Sequence, residues 1–203
     1  VRDVSWRPND VALTQFEVPL PTVEYFLSNA RAAGAMTLLN PAPALACSRE
    51  ILDATNVLIV NELELAFFLG RTPAELDRET AWELAQKLQR YAEQSVIVTL
   101  GSQGAVLLAG SQRSFVAALA VNAIDTTGAG DAFTGALAAY LVQGCSLTDA
   151  LGFANAAAAH AVQHHGAAES SPTLAELSAL CRQHQLAQPP LRGDALDRAD
   201  VLR

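Results

Sequence analysis

Seven consecutive residues, Asp125-Thr126-Thr127-Gly128-Ala129-Gly130-Asp131, carry the densest chemistry in the chain. Two acids flank a run of small residues. The run lies between the extended-looking stretch LAVNAI and the helix pattern AFTGALAAYLVQ. Small residues at Gly128, Ala129 and Gly130 let the backbone turn sharply and approach a ligand closely. The first amides of a helix have no internal partner and point outward. With the helix dipole they form an anion site, suited to a phosphate or to charge developing as a phosphoryl group moves. A carboxylate held there, Asp131, can orient a hydroxyl and take its proton. Asp125, at the end of the strand read over 119–124, points a second charge toward the same mouth and can serve a cation. The plain structural alternative is a tight strand–helix crossover with two capping acids. A lone GxG would favour it; seven residues of this type at such a junction favour the chemical reading.

Hydrophobic periodicity supplies the elements that hold these residues. It predicts strands over 11–16, 36–39, 57–60 and 95–100, and helices over 22–33, 48–54, 61–70 and 78–91. Pro19 and Pro21 mark the start of the first helix and Gly34 its end. Asn40-Pro41-Ala42-Pro43 stops the second strand. VLIV and SVIVTL are continuous apolar runs of the kind buried on both faces. The 78–91 helix is amphipathic, with Trp82, Leu84, Ala85 and Leu88 on one side. Beyond a turn at 101–104, segments 105–108 and 115–117 read as antiparallel strands around Gly110-Ser111. Three helices follow, over 128–144, over 147–163, and from a Ser171-Pro172 start to 184.

Strand–helix alternation implies an α/β fold, with a mostly parallel sheet covered on both faces. It predicts one domain over 1–187, followed by a proline-led, loosely attached tail over 188–203. In such sheets the ligand lies beyond the carboxyl ends of the strands. Asn61, Glu62 and Glu64 fall there, as do Ser102 and Gln103 between their glycines. Generic helix-start acids would look like the first set, and a simple turn would look like the second.

Of 203 residues, 51% are apolar and 17% charged, which is a globular composition. The net charge is −8 and Lys87 is the one lysine, so general nucleic-acid or anionic-membrane binding is disfavoured. No apolar run reaches the roughly 18 residues of a membrane span, and VRDVSWRPND is not patterned as a secretory leader. Cys47, Cys145 and Cys181 are far apart and form no CxxC. That pattern leads us to expect reduced, mostly buried thiols in a cytoplasmic protein.

The segment DTTGAGDAFTGALAAYL closely resembles the C-terminal signature of the ribokinase-type (PfkB-like) carbohydrate kinases. Further landmarks follow the family order. NELE (61–64) is similar to its NxxE motif, and VTLGSQGA (98–105) to its nucleotide-loop segment. FANAAAAHAVQHHGAAESSPT (153–173) is similar to its adenine-contacting helix and monovalent-cation loop. LLNPAPA (38–44) resembles the ribose-phosphorylating branch more than the family at large. The resemblance spans about 11–184. No GxxxxGK[ST] is present, which leaves a P-loop unsupported.

The resemblance implies a three-layer αβα kinase using ATP with Mg²⁺, activated by a monovalent cation such as K⁺, and acting on a small sugar. It implies Asp131 as catalytic base and Gly128, Ala129 and Gly130 as the anion hole. It implies a nucleotide site made by Asn61, Thr99, Leu100, Gly101, Ser102, Gln103, Gly104, Gly130, Asp131 and Asn155. Asp125, Thr127, Ala161, His164, Gly166 and Ser170 would hold the monovalent cation. Glu64 would organise Mg²⁺ through water, and Glu17 would meet a sugar hydroxyl. D-ribose is the expected acceptor; another sugar, a sugar phosphate or a nucleoside stays open. A non-catalytic nucleotide-binding descendant of a kinase also stays open.

The family's glycine-rich sugar segments and its β-sheet lid are not visible in these 203 residues. We therefore expect a sheet incomplete on its N-terminal side, with an apolar edge beside 11–16. The isolated chain should be weakly active or inactive, and aggregation-prone unless an oligomeric copy or another partner covers that edge.

His160 and His164 stand one helical turn apart, but no Glu lies between them in the HExxH manner. Bonding to last-turn carbonyls, or to the dipole, is favoured over zinc. Trp6, Trp82, Phe67 and Phe68 read as core or interface. The alanine-rich stretch 154–161 reads as close helix packing, and Cys145 has no base beside it.

Overall fold

The computed structural model describes residues 4–186; the tail expected over 188–203 lies outside the described residues. The chain divides into two compact units, one running to Ala120 and one starting at Val121.

The first unit is a six-stranded sheet with four helices. Its elements are β1 (Val11–Gln15), α1 (Leu20–Ala32), β2 (Met36–Asn40), α2 (Arg49–Asp53), β3 (Val57–Asn61), α3 (Glu62–Phe68), α4 (Arg78–Leu88), β4 (Ser95–Thr99), β5 (Gly104–Ala109) and β6 (Gln112–Ala117). The strands lie in chain order, β1-β2-β3-β4-β5-β6. β1 to β4 pair in parallel, and β5 and β6 add as an antiparallel hairpin. The parallel half follows from the intervening helices, since a parallel return needs a crossover. The antiparallel half follows from two short turns. Gly110 and Ser111 join β5 to β6, with Ala109 opposite Gln112 and Gly110 at φ +60°.

Period-two burial builds the core. Leu39, Leu58, Val60, Val96, Val98, Val106 and Leu108 share one sheet face. They join a cluster with Val23 and Leu27 of α1, Ile51 of α2, Leu65 of α3, and Trp82, Ala85 and Leu88 of α4. The Trp82 indole N–H donates to the Leu107 carbonyl at 3.2 Å, so its polar end is satisfied inside the core. Truncating Leu58 or Leu65 to alanine there costs about 2–5 kcal/mol. Leu38, Ile59, Ile97 and Leu107 on the opposite face are also buried, as continuous apolar strands require. β1 is an edge strand, and four of its five residues are only partly buried, in keeping with the expected edge.

The second unit holds α5 (Ala129–Val142), α6 (Leu147–Ala161) and α7 (Leu174–Gln183). α5 and α6 pack through Tyr140 and Phe153, whose ring centres are 4.3 Å apart. Ala154, Ala156, Ala157, Ala159 and Ala161 of α6 are buried, which is the close packing the alanine run predicts. Burial pushes the Tyr140 phenol up to about 12.

Three expectations are corrected. Residues 119–124 form no sheet strand. Instead, the amides of Ile124 and Asp125 donate to the Val162 carbonyl beyond α6, at 2.7 and 3.2 Å. α4 stops at Leu88 rather than 91, because Gln89 leaves helical geometry at ψ 129°. α7 is capped by Thr173 rather than Ser171. Thr173 and Glu176 form a reciprocal capping box, with Thr173 N donating to Glu176 Oε2 at 2.8 Å.

Candidate functional site

Four parallel strands end with polar groups in a row. Glu17 lies two residues beyond β1 and is exposed. Asn40 closes β2, Asn61 closes β3 and Thr99 closes β4. Asn61 and Thr99 are direct register partners, so the two motifs starting there begin side by side. This is where an open parallel sheet presents ligand-binding groups.

Asn61 and Glu64 hold each other. Asn61 Oδ1 accepts from the Glu64 amide at 2.9 Å, and Glu64 Oε2 accepts from the Asn61 amide at 2.9 Å. The Asn61 side-chain amide adds a bond to Glu64 Oε1 at 3.1 Å. Asn40 reaches across from β2 to Glu64 Oε2 at 3.4 Å, while also donating to the Ile59 carbonyl. Glu64 is buried, and that desolvation raises its pKa against the lowering effect of the bonds from Asn61 and Asn40. Both carboxylate oxygens thus already serve protein donors. This suits a metal reached through water better than a metal bound directly. In the sequence, Asn40 is marked only by its place at a strand end, before Pro41.

The turn after β4 is built around two glycines. Leu100 N donates to the Gly104 carbonyl at 2.8 Å and Gln103 N to the Leu100 carbonyl at 3.0 Å, closing a single 3₁₀ turn at Gly101–Gln103. Gly101 sits at φ +51° and Gly104 at φ +115°. A Cβ at Gly104 would lie 2.1 Å from the Val116 carbonyl oxygen, so no side chain fits. Gly101 through Gln103 are exposed, and Thr99 directs its hydroxyl to the Val60 carbonyl at 3.5 Å.

In the second unit, Gly128 is the N-cap of α5 at φ +77°. A Cβ on it would come within 2.8 Å of the Ala167 carbonyl oxygen, so both conformation and space demand glycine. Among the described residues, no protein acceptor meets the amides of Gly128 and Gly130; the Ala129 amide makes a long bond of 3.3 Å to the Thr126 carbonyl. Asp131, in the first turn of α5, lines a cleft of about 290 Å³ with Gly135, Ala139, Ala157, Ser171 and Leu174. That cleft runs along α5 towards α7 and is not lined by Gly128, Ala129 or Gly130. It is therefore adjacency in the first turn that puts those amides beside a carboxylate, the pieces that phosphate binding and proton abstraction need.

Asp125 organises the loop before that helix. Its Oδ1 accepts from the Thr127 amide at 2.9 Å and its Oδ2 from the Gly166 amide at 3.3 Å. Those bonds, with Thr127 foremost, lower its pKa. Of the six residues expected at a monovalent cation, Asp125, Thr127 and Gly166 are therefore joined directly. The Ala161 carbonyl accepts from the His164 amide at 3.0 Å, and the buried Ser170 hydroxyl donates to the Ala167 carbonyl at 2.7 Å. Oxygen-rich loops of this kind suit a hard cation. Asn155 is buried in α6.

His164 Nδ1 lies 3.0 Å from the His160 carbonyl, the last-turn contact expected, and the two rings stack at 4.4 Å. Burial, then His164, lowers the His160 pKa, which disfavours the charge a dipole contact would use. Among the described residues no group of three or more His, Cys, Asp or Glu is placed to hold a metal. Trp82 is core, Phe68 packs against the core cluster, Trp6 packs edge-on against Phe26, and Phe67 is 46% exposed, which excludes the core half of the core-or-interface expectation. Cys181 is buried but Cys47 and Cys145 are only half-buried, short of the mostly buried set expected; burial raises the pKa of each thiol. No described helix is long and apolar enough to cross a membrane.

A profile of the pfkB family carbohydrate kinases matches residues 11–174. The ribokinase of Schizosaccharomyces pombe is 40% identical over 172 residues, covering 83% of this chain and 54% of that protein. A deoxyribokinase of Salmonella typhi is 36% identical over 169 residues, covering 81% and 53%. The structure of Arabidopsis thaliana ribokinase complexed with ribose and ATP superposes with a TM-score of 0.77 at 31% identity, covering 84% and 55%. The chain spans about half the length of the curated relatives it matches.

Proposed function

The chain belongs to the pfkB family of carbohydrate kinases, and from that premise we propose that it is the nucleotide-handling part of an ATP-dependent ribose kinase. The observation that carries this reading is the start of α5: a left-handed glycine cap, two amides that meet no protein acceptor among the described residues, and Asp131 in the first helical turn beside them.

In the proposed reaction the 5-hydroxyl oxygen of D-ribose attacks the γ-phosphorus of ATP. The bond from that phosphorus to the bridging oxygen breaks, and ADP leaves. Asp131 takes the hydroxyl proton as the new bond forms. The amides from Gly128 to Gly130 stabilise the negative charge on the transferring group. Asn61, Thr99, the turn from Leu100 to Gly104, and Asn155 hold the nucleotide, while Glu17 meets a sugar hydroxyl. Mg²⁺, when bound with ATP, supplies charge neutralisation on the phosphates. Glu64 orients water beside it. Asp125, Thr127, Ala161, His164, Gly166 and Ser170 hold a monovalent cation that keeps the loop in shape without touching substrate. A cytoplasmic setting fits the free cysteines Cys47, Cys145 and Cys181 and the supply of ATP.

The likeness to a deoxyribokinase supports 2-deoxy-D-ribose as the second candidate acceptor. An ADP-release assay distinguishes these readings, run on the polypeptide carrying this chain with D-ribose, 2-deoxy-D-ribose, D-fructose 6-phosphate and a nucleoside. The expected result is a kcat/KM for D-ribose at least tenfold above every other acceptor. Preference for another acceptor overturns the choice of sugar. ATP binding without turnover on any acceptor overturns the kinase reading in favour of a non-catalytic nucleotide binder.

A further inference from the structure

Leu76, in the loop between α3 and α4, is held from both sides by side chains distant in sequence. Its amide donates to Glu62 Oε1 at 3.0 Å. Its carbonyl accepts from Gln103 Nε2 at 3.1 Å. The next residue, Asp77, caps α4 by accepting from the Thr80 amide at 2.8 Å. One backbone residue thus ties the start of α3, the start of α4 and the turn after β4.

Glu62 is not needed as a cap for its own helix, because Asn61 and Glu64 already form the capping box there. A generic first-turn acid would stay solvated near the helix dipole. Glu62 instead spends its carboxylate on an amide 14 residues away. At the turn, the backbone bonds of Gln103 are local to the hairpin: its amide to the Leu100 carbonyl, and its carbonyl from the Ala118 amide at 3.2 Å. Those bonds tie the turn to the sheet. The Gln103 side chain reaches out of the hairpin, from the turn to the loop between α3 and α4.

We propose that Glu62 and Gln103 clamp Leu76 between them, and that this clamp holds the 101–103 turn in its nucleotide-lining shape, making Glu62 a positioning residue for ATP binding. The proposal rests on the assignment of that turn to the nucleotide. Glu62 acts through Leu76 and Gln103 and touches no substrate.

Two measurements on the same variants test it: hydrogen exchange of the 101–104 amides without ligand, and the Kd for ATP in the presence of Mg²⁺. Glu62→Ala is expected to speed exchange in the turn and raise the Kd about tenfold, the scale of a lost bond to a charged acceptor. Glu62→Gln keeps a carbonyl oxygen for the Leu76 amide and should bring both readouts back to within about threefold of wild type. Glu62→Ala should add little once Gln103→Ala is present, since both act through one residue. Unchanged exchange in Glu62→Ala overturns the clamp, whatever happens to binding. Faster exchange with an unchanged Kd overturns its positioning role. Absence of ATP binding by the wild-type protein overturns the nucleotide assignment and the positioning role with it, while the exchange result still reports on the clamp.

Discussion

Asn61 and Glu64 exchange backbone and side-chain hydrogen bonds at 2.9 Å in both directions, so the motif at the end of β3 is a self-contained unit. Its acid is buried and its amide is spoken for. The same three-residue spacing therefore starts a helix and fixes a carboxylate beyond the strand edge. The capping box also sets the orientation that the proposed water-mediated contact to Mg²⁺ would use.

Burial raises the Glu64 pKa in the folded state above its ordinary 4.5. A raised acid binds more protons folded than unfolded between the two values. Its contribution to stability is fully present below the unfolded pKa and is lost as pH rises through the folded one. Denaturant titrations of wild type and Glu64→Gln from pH 3 to 8 should diverge in that window, with the variant gaining relative stability as pH rises. Parallel curves would contradict the burial of an ionisable Glu64.

The glycines at the two turns are predicted to be intolerant for different reasons. Gly104→Ala puts a Cβ against the β6 backbone at 2.1 Å and should destabilise the first unit by about 2–3 kcal/mol. Gly128→Ala adds a left-handed penalty to a 2.8 Å contact with the Ala167 carbonyl oxygen and should cost about 1–3 kcal/mol. Only Gly128→Ala should also disturb the amides proposed to face the transferring phosphate. Urea melts combined with inorganic phosphate or ATP titration separate the two effects.

Asp125 runs opposite to Glu64 with pH. Its folded pKa is lowered, first by the Thr127 amide, so its contribution is present above 3.8 and is lost as pH falls through the folded value. The amide resonances of Thr127 and Gly166 should shift together through one low-pH transition. Asp125→Asn should abolish that transition and weaken any activation by K⁺. Independent transitions at the two amides would show that Asp125 does not join them.

β3, β4 and α3 were legible because VLIV and SVIVTL are unbroken apolar runs, and because Asn61 and Gly70 bracket a helix. The stretch 119–124 misled because it carries extended-type residues while its partner, the Val162 carbonyl, lies 38 residues on from Ile124 and outside any strand. The start of α7 was readable in principle, since Thr173 and Glu176 have capping-box spacing, but the Ser-Pro pair two residues earlier is a comparable start signal. Asn40 shows only a strand end in the sequence and Glu62 only an acid on the ligand side of the sheet, because their partners, Glu64 and Leu76, are brought to them by the sheet and the loop. What local spacing encodes was visible: the glycine bend, its acid and the strand-end motifs. Contacts between segments were not.

The most direct test of the central claim is Asp131→Asn in the polypeptide carrying this chain, with D-ribose turnover and ATP affinity measured together. A catalytic base at the start of α5 predicts a fall in kcat of about 10²–10⁴-fold with the Kd for ATP kept within about threefold. Turnover within tenfold of wild type would contradict it.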